Sequence, residues 1–279
     1  MKIIKKIAEL KRSVKKIKSK NKIIGFVPTM GYLHEGHLSL IRIAKKHSDY
    51  VVCSIFINPT QFGPNEDFNN YPRDLKRDEG LLKKEKADLL FCPSVKEIYP
   101  DGYKTYVEVE ELSSTLCGKS RPGHFRGVGT VVLKLLNIIQ PDIAVFGEKD
   151  YQQAIIIKKM VKDLNLDVGI IIAPIIREPD GLAMSSRNTY LSPEERTNAA
   201  ILYKALTWAR DSFYKENIKS PEYIITQMRQ MIEAKAGKID YIAVVDKDNL
   251  APVRYIKKGD RILLAVFIGK TRLIDNIGI

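Results

Sequence analysis

At 279 residues, with 44% hydrophobic content, the chain is long enough to form one large or two ordinary domains around a real core, which excludes a disordered or fibrous protein. Its net charge of +13 invites a nucleic-acid reading, yet ten Lys or Arg against the single acid Glu9 fall within residues 1–22, so the rest of the chain carries only +4 and no nucleic-acid partner is expected. Cys53, Cys92 and Cys117 are odd in number and too far apart for a disulfide framework or a C-x-x-C site, which points to a reduced, cytoplasmic home, and the apolar run Val168 to Ile176 is only nine residues with a proline, so no membrane span is expected.

In chain order, Ile3, Ile7, Leu10, Val14 and Ile17 recur at helical spacing and predict an amphipathic helix with a lysine-rich solvated face. A helix of the same pattern could instead meet a polyanion or a membrane surface. Ile23 to Val27, Val51 to Ile57, Leu89 to Cys92, Ile143 to Phe146 and Val168 to Ile172 read as buried strands with helical patterns between most of them. That alternation predicts an α/β fold, a doubly wound parallel sheet covered by helices on both faces, with ligands at the carboxyl ends of its strands. The character changes after residue 175. Arg177 to Asn188 has no apolar period and reads as a loop able to move, Ser192-Pro193-Glu194-Glu195 opens a long helix through a capping box, and a second helix starts at Ser220-Pro221. Ile239 to Val245, Pro252 to Ile256 and Ile262 to Ile268 read as strands. Residues 1–175 and 176–279 are therefore expected as two domains, the second a smaller C-terminal α+β domain.

Three stretches directly after strands concentrate chemistry. Pro28 to His37 contains H-x-G-H, two of the four histidines three residues apart. A strand, a turn and a helix N-terminus make an anion site, because unpaired N–H groups and the helix dipole point at it, and Gly36 lets the backbone approach closely. Zinc would need a third ligand that neither cysteine spacing nor another histidine-rich stretch supplies. Asn58 to Phe62 and Gly147 to Gln153 are the other two, with Gln61 and Gln153 as neutral hydrogen-bonders suited to orienting a substrate, and Lys149 as a cation at a strand end. Met184 to Asn188 adds two hydroxyls, Arg187 and an amide, a set that suits polyphosphate and would equally suit a polar linker. His124, between Arg121 and Arg126, either meets a substrate anion or sits on a basic surface turn. His47, in a lysine-rich stretch, reads as exposed.

Six segments in order, P-T-M-G-Y-L-H-E-G-H, I-N-P-T-Q-F, Y-P-R-D, P-G-H-F-R-G-V, F-G-E-K-D-Y-Q-Q and R-E-P-D-G-L-A-M-S-S-R-N, closely resemble the pantoate–β-alanine ligase family, and more widely the nucleotidyltransferases and class I synthetases. They cover the chain to about residue 195; the C-terminal hundred residues match no motif. A cofactor nucleotidyltransferase or a tRNA synthetase fragment would share H-x-G-H but accounts for neither N-P-T-Q-F nor E-K-D-Y-Q-Q. The resemblance implies a Rossmann-like first domain, a C-terminal lid, a homodimer, ATP with Mg²⁺, and ligation of pantoate to β-alanine through a pantoyl adenylate.

By that resemblance His34, His37, Lys149 and Arg187 are the catalytic set, with His37 the proton donor. Met30, Gly31, Tyr32, Leu33, His34, Glu35, Gly36, His37, Gly147, Glu148, Lys149, Asp150, Ile176, Met184, Ser185, Ser186 and Arg187 are the expected ATP contacts. Gln61 is expected to hold pantoate and β-alanine, and Gln153 to hold pantoate. Asp78 is a candidate Mg²⁺ contact. What accepts the amine proton in the second step is open between the adenylate phosphate and a histidine.

Overall fold

In the computed structural model, which describes residues 1–64 and 66–279, the chain begins β1 (Lys2–Ile4), α1 (Ile7–Lys18), β2 (Ile24–Thr29), α2 (Glu35–Lys46), β3 (Tyr50–Ile55), α3 (Leu75–Lys84), β4 (Leu89–Phe91) and α4 (Val95–Ile98). It continues α5 (Cys117–Ser120), α6 (His124–Ile139), β5 (Ile143–Gly147), α7 (Tyr151–Asp163), β6 (Gly169–Ala173), α8 (Pro193–Ala199), α9 (Ile201–Glu216), α10 (Pro221–Glu233), β7 (Gly237–Val245), β8 (Arg261–Ile268) and β9 (Thr271–Gly278).

The first six strands form one parallel sheet in the order β1-β4-β3-β2-β5-β6. From β2 the chain winds outward through β3 to β4, then returns to place β5 on the other side of β2. The strand order therefore reverses at the β2/β5 pair, and the carboxyl ends of those two strands border the crevice where open α/β sheets bind ligands. Sequence keeps that crevice open. β2 pairs with β3 along all six residues but with β5 only at Gly25 and Phe26. Ile24 turns both its N–H and its C=O toward Asp142, on the β5 side. By alternation Pro28 faces that side too, and it has no N–H with which to continue the ladder.

The sheet's interior is near-continuously apolar, as burial on both faces requires: Ile24, Phe26, Leu89, Leu90 and Phe91 are fully buried. α1 buries Leu10, Val14 and Ile17 and leaves its lysines exposed. Ile3 is a correction to the expected helix, since it lies in β1 opposite Leu90; the helix begins at Ile7, whose N–H donates to Glu97 at 2.8 Å.

The chain divides into two units. The first holds Met1–Ser114, Arg121–Glu148 and Gln153–Pro174; the second holds Ile175–Ile279 together with Thr115–Ser120 and Lys149–Gln152. The second unit is an antiparallel sheet β7-β8-β9 packed on its helices through Leu202, Leu206, Ile224, Met228, Ile262 and Leu264. Ser192 caps α8 with the reciprocal Glu195 bond read from the sequence, but the expected long helix is two, α8 and α9. Pro252 to Ile256 is not a strand. Pro252 makes only an isolated bridge to Val245, and the proline ends the ladder because it has no N–H. No helix among the described residues is long and apolar enough to cross a membrane, and all three cysteines are free thiols.

Candidate active site

The turn after β2 is built from main-chain hydrogen bonds. Thr29 Oγ1 donates to Ser54 O at 2.8 Å and accepts from the Gly31 N–H at 3.2 Å. Gly31 and Tyr32 both adopt positive φ, +84° and +50°. A Cβ on Gly31 would sit 3.0 Å from Ile55 Cγ2 and 3.1 Å from Asp78 Oδ2, so the position requires glycine on both counts. Asp78, from α3 and 1% exposed, holds the turn from below: its two oxygens accept the N–H groups of Tyr32 at 2.7 Å and Leu33 at 2.8 Å. Burial pushes the Asp78 carboxyl up, with those two bonds and Arg77 pulling the other way.

His34 is the extended N-cap of α2, and its N–H donates to Nδ1 of His37 at 3.3 Å. A ring that accepts at Nδ1 carries its neutral-state proton on Nε2, so the main chain selects the His37 tautomer. The two rings lie 4.1 Å apart, tilted by 42°. Leu33 is 1% exposed, and its N–H is taken by Asp78. The Glu35 carboxylate is committed to Arg42, which also grips Glu85.

Asp78, the candidate Mg²⁺ contact of the sequence, thereby clamps the turn through two main-chain N–H groups. Asp78→Asn should recover part of the cost of burying a charge but turn an NH₂ against one N–H of the turn, costing about 1–3 kcal/mol in stability. The larger effect should be on kcat, through the displaced histidines. Thermal melts beside steady-state kinetics check this, and a variant with wild-type kcat would deny the clamp its part in the site.

Gln61 ends the short 3-10 turn Pro59–Gln61 and is 9% exposed. Asn58 Nδ2 donates to Gln61 Oε1 and to Gly127 O, both at 3.1 Å, while Asn58 Oδ1 accepts from the Tyr99 hydroxyl at 2.9 Å. Burial pushes that phenol up to about 12, which keeps it a donor. Gln61 Nε2 lies 3.0 Å from Met30 Sδ, so the structure brings the P-T-M-G and N-P-T-Q segments together. His124 is half-buried and hydrogen-bonded through both ring nitrogens. Its Nδ1 donates to Gln61 O at 2.8 Å, and its Nε2 accepts from Arg121 at 3.0 Å, the roles fixed because a carbonyl only accepts and a guanidinium only donates. Glu66 clasps Arg121 through two bonds of 2.7 and 2.6 Å. Tyr99 and Gly127 were not legible as site residues because each acts on a partner distant in sequence.

Gly147 closes β5, and Lys149 sits in the 3-10 turn Glu148–Asp150. Lys149 to Gln152 belong to the second unit, where Tyr151 donates to Lys247 O at 2.9 Å, and the Gln152 amide bonds the Cys117 N–H and Thr115 O at 3.0 and 2.8 Å. Gln153 belongs to the first unit and is half-buried. The segment expected as an irregular loop is a folded hairpin. Arg177 bridges Ala183, Met184 N–H donates to Ile176 O at 3.0 Å, and Gly181 turns at φ +93°. Arg196 of α8 holds Glu178 and Asp180. Ser185 then caps the short helix Ser186–Tyr190 by accepting the Arg187 N–H at 3.2 Å. Polar residues define this hairpin, and for that reason no apolar period announced it.

The pantoate-beta-alanine ligase family model matches residues 2–278. The chain belongs to the pantoate-beta-alanine ligase family. Among relatives of this ligase, the pantothenate synthetase of Thermosipho africanus is 55% identical over 277 residues and that of Caldicellulosiruptor saccharolyticus 56% over 279, each match covering 99% of both chains. The pantothenate synthetase structure from Thermus thermophilus aligns over 100% of the ligase and 99% of its own chain, with TM-score 0.94 and 43% identity. The pantoate-beta-alanine ligase of Francisella tularensis, solved with beta-gamma ATP and beta-alanine, aligns over 100% and 97% with TM-score 0.84 and 42% identity. The chain is an enzyme, a ligase that joins pantoate to β-alanine.

Proposed function

We propose that the ligase activates pantoate as pantoyl adenylate at the H-x-G-H turn. The pantoate carboxylate attacks the α-phosphorus of ATP, the bond to the bridging oxygen breaks and pyrophosphate leaves; the β-alanine amine then attacks the acyl carbon and AMP leaves. The first nucleophile is already an anion, so the site must stabilise charge on phosphate and needs no base. The observation that carries this reading is the His37 tautomer. With Nδ1 held by the His34 N–H at 3.3 Å, Nε2–H is the donor offered at the N-terminus of α2, where the helix dipole adds to it.

In this reading the residues of the turn Met30 to His37, of the segment Gly147 to Asp150, and Ile176 and Met184 to Arg187 are the ones that contact the nucleotide. Lys149 and Arg187 stabilise the polyphosphate. Gln61, its amide set by Asn58, orients pantoate and β-alanine, and Gln153 orients pantoate. Mg²⁺ would arrive on the ATP phosphates: the described residues include no group of three or more His, Cys, Asp or Glu able to hold a metal, and both Asp78 oxygens accept main-chain N–H groups. The family resemblance further supports a homodimer in the cytoplasm.

Pantoate-dependent exchange of pyrophosphate into ATP, measured without β-alanine, tests the intermediate. Exchange is expected with pantoate alone. Its absence from an enzyme that makes pantothenate normally would refute the adenylate route.

A further inference from the structure

β9 belongs to the hundred residues that match no motif, yet its residues Asp275 and Asn276 are 2% and 1% exposed, and both are polar. Burying such groups is costly unless their bonding is complete, so their partners show what they hold in place. Asn276 Nδ2 donates to the main-chain oxygen of Lys149 at 3.1 Å. Arg261 Nη1 donates to Asn276 Oδ1 at 2.8 Å, and because a guanidinium cannot accept, the amide has only one workable orientation, Nδ2 toward Lys149. Arg261 is itself stacked 4.2 Å over the Tyr151 ring, two residues beyond Lys149. Asp275 takes Arg177 through two bonds of 2.6 and 2.9 Å, and Arg177 opens the hairpin that leads to Met184 and Arg187.

We propose that Asn276 is the positioning residue for Lys149, and that with Asp275 it makes β9 the common support of the Lys149 turn and the Arg187 hairpin. The proposal rests on the reading of Lys149 as a group that stabilises charge on the transferring phosphate. Lys149 follows directly from β5 of the parallel sheet but groups with the second unit, and the Asn276 bond is one direct cause. The pairings Leu264 with Asp275 and Leu263 with Asn276 fix the two residues on β8. A cation whose main chain is anchored in this way keeps its place when the side chain meets phosphate, and a displacement of about 1 Å at such a group can cost up to about 10² in rate.

The discriminating variant is Asn276→Asp. It keeps the shape and the acceptor for Arg261 but sets a carboxylate oxygen against the Lys149 carbonyl. It should lower kcat about tenfold or more and leave KM for pantoate within about twofold. In a Lys149→Ala background the same change should cost less than about twofold, because the group it positions is gone. Equal losses in both backgrounds, or no loss in the parent, would overturn the proposal while leaving the role of Lys149 standing. A Lys149→Ala enzyme with the parent's kcat would remove that role, and the proposal with it. Should Asn276→Asp melt below the assay temperature, Asn276→Ala, which removes the donor without adding charge, goes through the same cycle with the same readings.

Discussion

His37→Ala and Lys149→Ala are each expected to lower kcat by about 10²–10³, the range for removing one donor aimed at developing charge, while the melting temperature moves by only a few degrees. The two effects separate because neither side chain carries the fold. His37 accepts one main-chain N–H at 3.3 Å at the surface end of α2, and losing such an acceptor costs on the order of 1 kcal/mol. Lys149 is held through its own carbonyl, which alanine keeps. Neither variant should change how much pantoate is needed for half-saturation as strongly as it changes turnover, since both groups are assigned to phosphate. Steady-state kinetics with thermal melts test the pair, and a kcat within about threefold of the parent for both would mean that charge on phosphate is stabilised by other groups.

What could be read from the sequence was what repeats locally. The buried strands Ile24–Thr29, Tyr50–Ile55 and Ile143–Gly147 announced themselves as apolar runs, and Ser192 and Ser220 announced helix starts, because a strand face or a cap depends on residues within a few positions. What stayed hidden depends on pairs far apart. β9 carries Arg272, Asp275 and Asn276 in a strand of eight, which breaks the alternation of apolar residues; they are tolerated because Asp240 and Arg177 neutralise two of them from elsewhere in the chain. Asp78 could not be read as a clamp of the H-x-G-H turn because the N–H groups it holds are 45 and 46 residues away. His124 sat between arginines and so looked like an anion site, but one arginine had become its hydrogen-bond donor. The groups proposed as catalytic were legible as motifs; the groups that hold them in place were not.

Gly127→Ala shows how far such aiming reaches, and it should be the most damaging of the conservative substitutions. In an isolated helix the change would stabilise by about 1 kcal/mol, since alanine is the better helix former. Here the new Cβ would lie 2.2 Å from Thr60 O, 2.5 Å from Thr60 C and 2.7 Å from the Gln61 nitrogen. All three are main chain, so no side chain can swing away. Either α6 retreats or the turn Pro59–Gln61 does, and overpacking of this kind costs about 1–3 kcal/mol. The clash therefore outweighs the propensity gain. The turn is the movable partner, for α6 is packed along its length by Val128, Val131, Val132 and Leu135, whereas the turn is held by hydrogen bonds, one of them from Asn58 to the Gly127 carbonyl itself. Gln61 should then shift by about an ångström, and kcat/KM for pantoate should fall by about 10², with a smaller fall for ATP. Gly80→Ala provides the contrast within the same unit: nothing lies within 4 Å of a Cβ there, so α3 should gain up to about 1 kcal/mol with unchanged kinetics. A Gly127→Ala enzyme that binds pantoate normally would show that Gln61 does not depend on the close approach of α6, and the assignment of pantoate to this turn would have to be withdrawn.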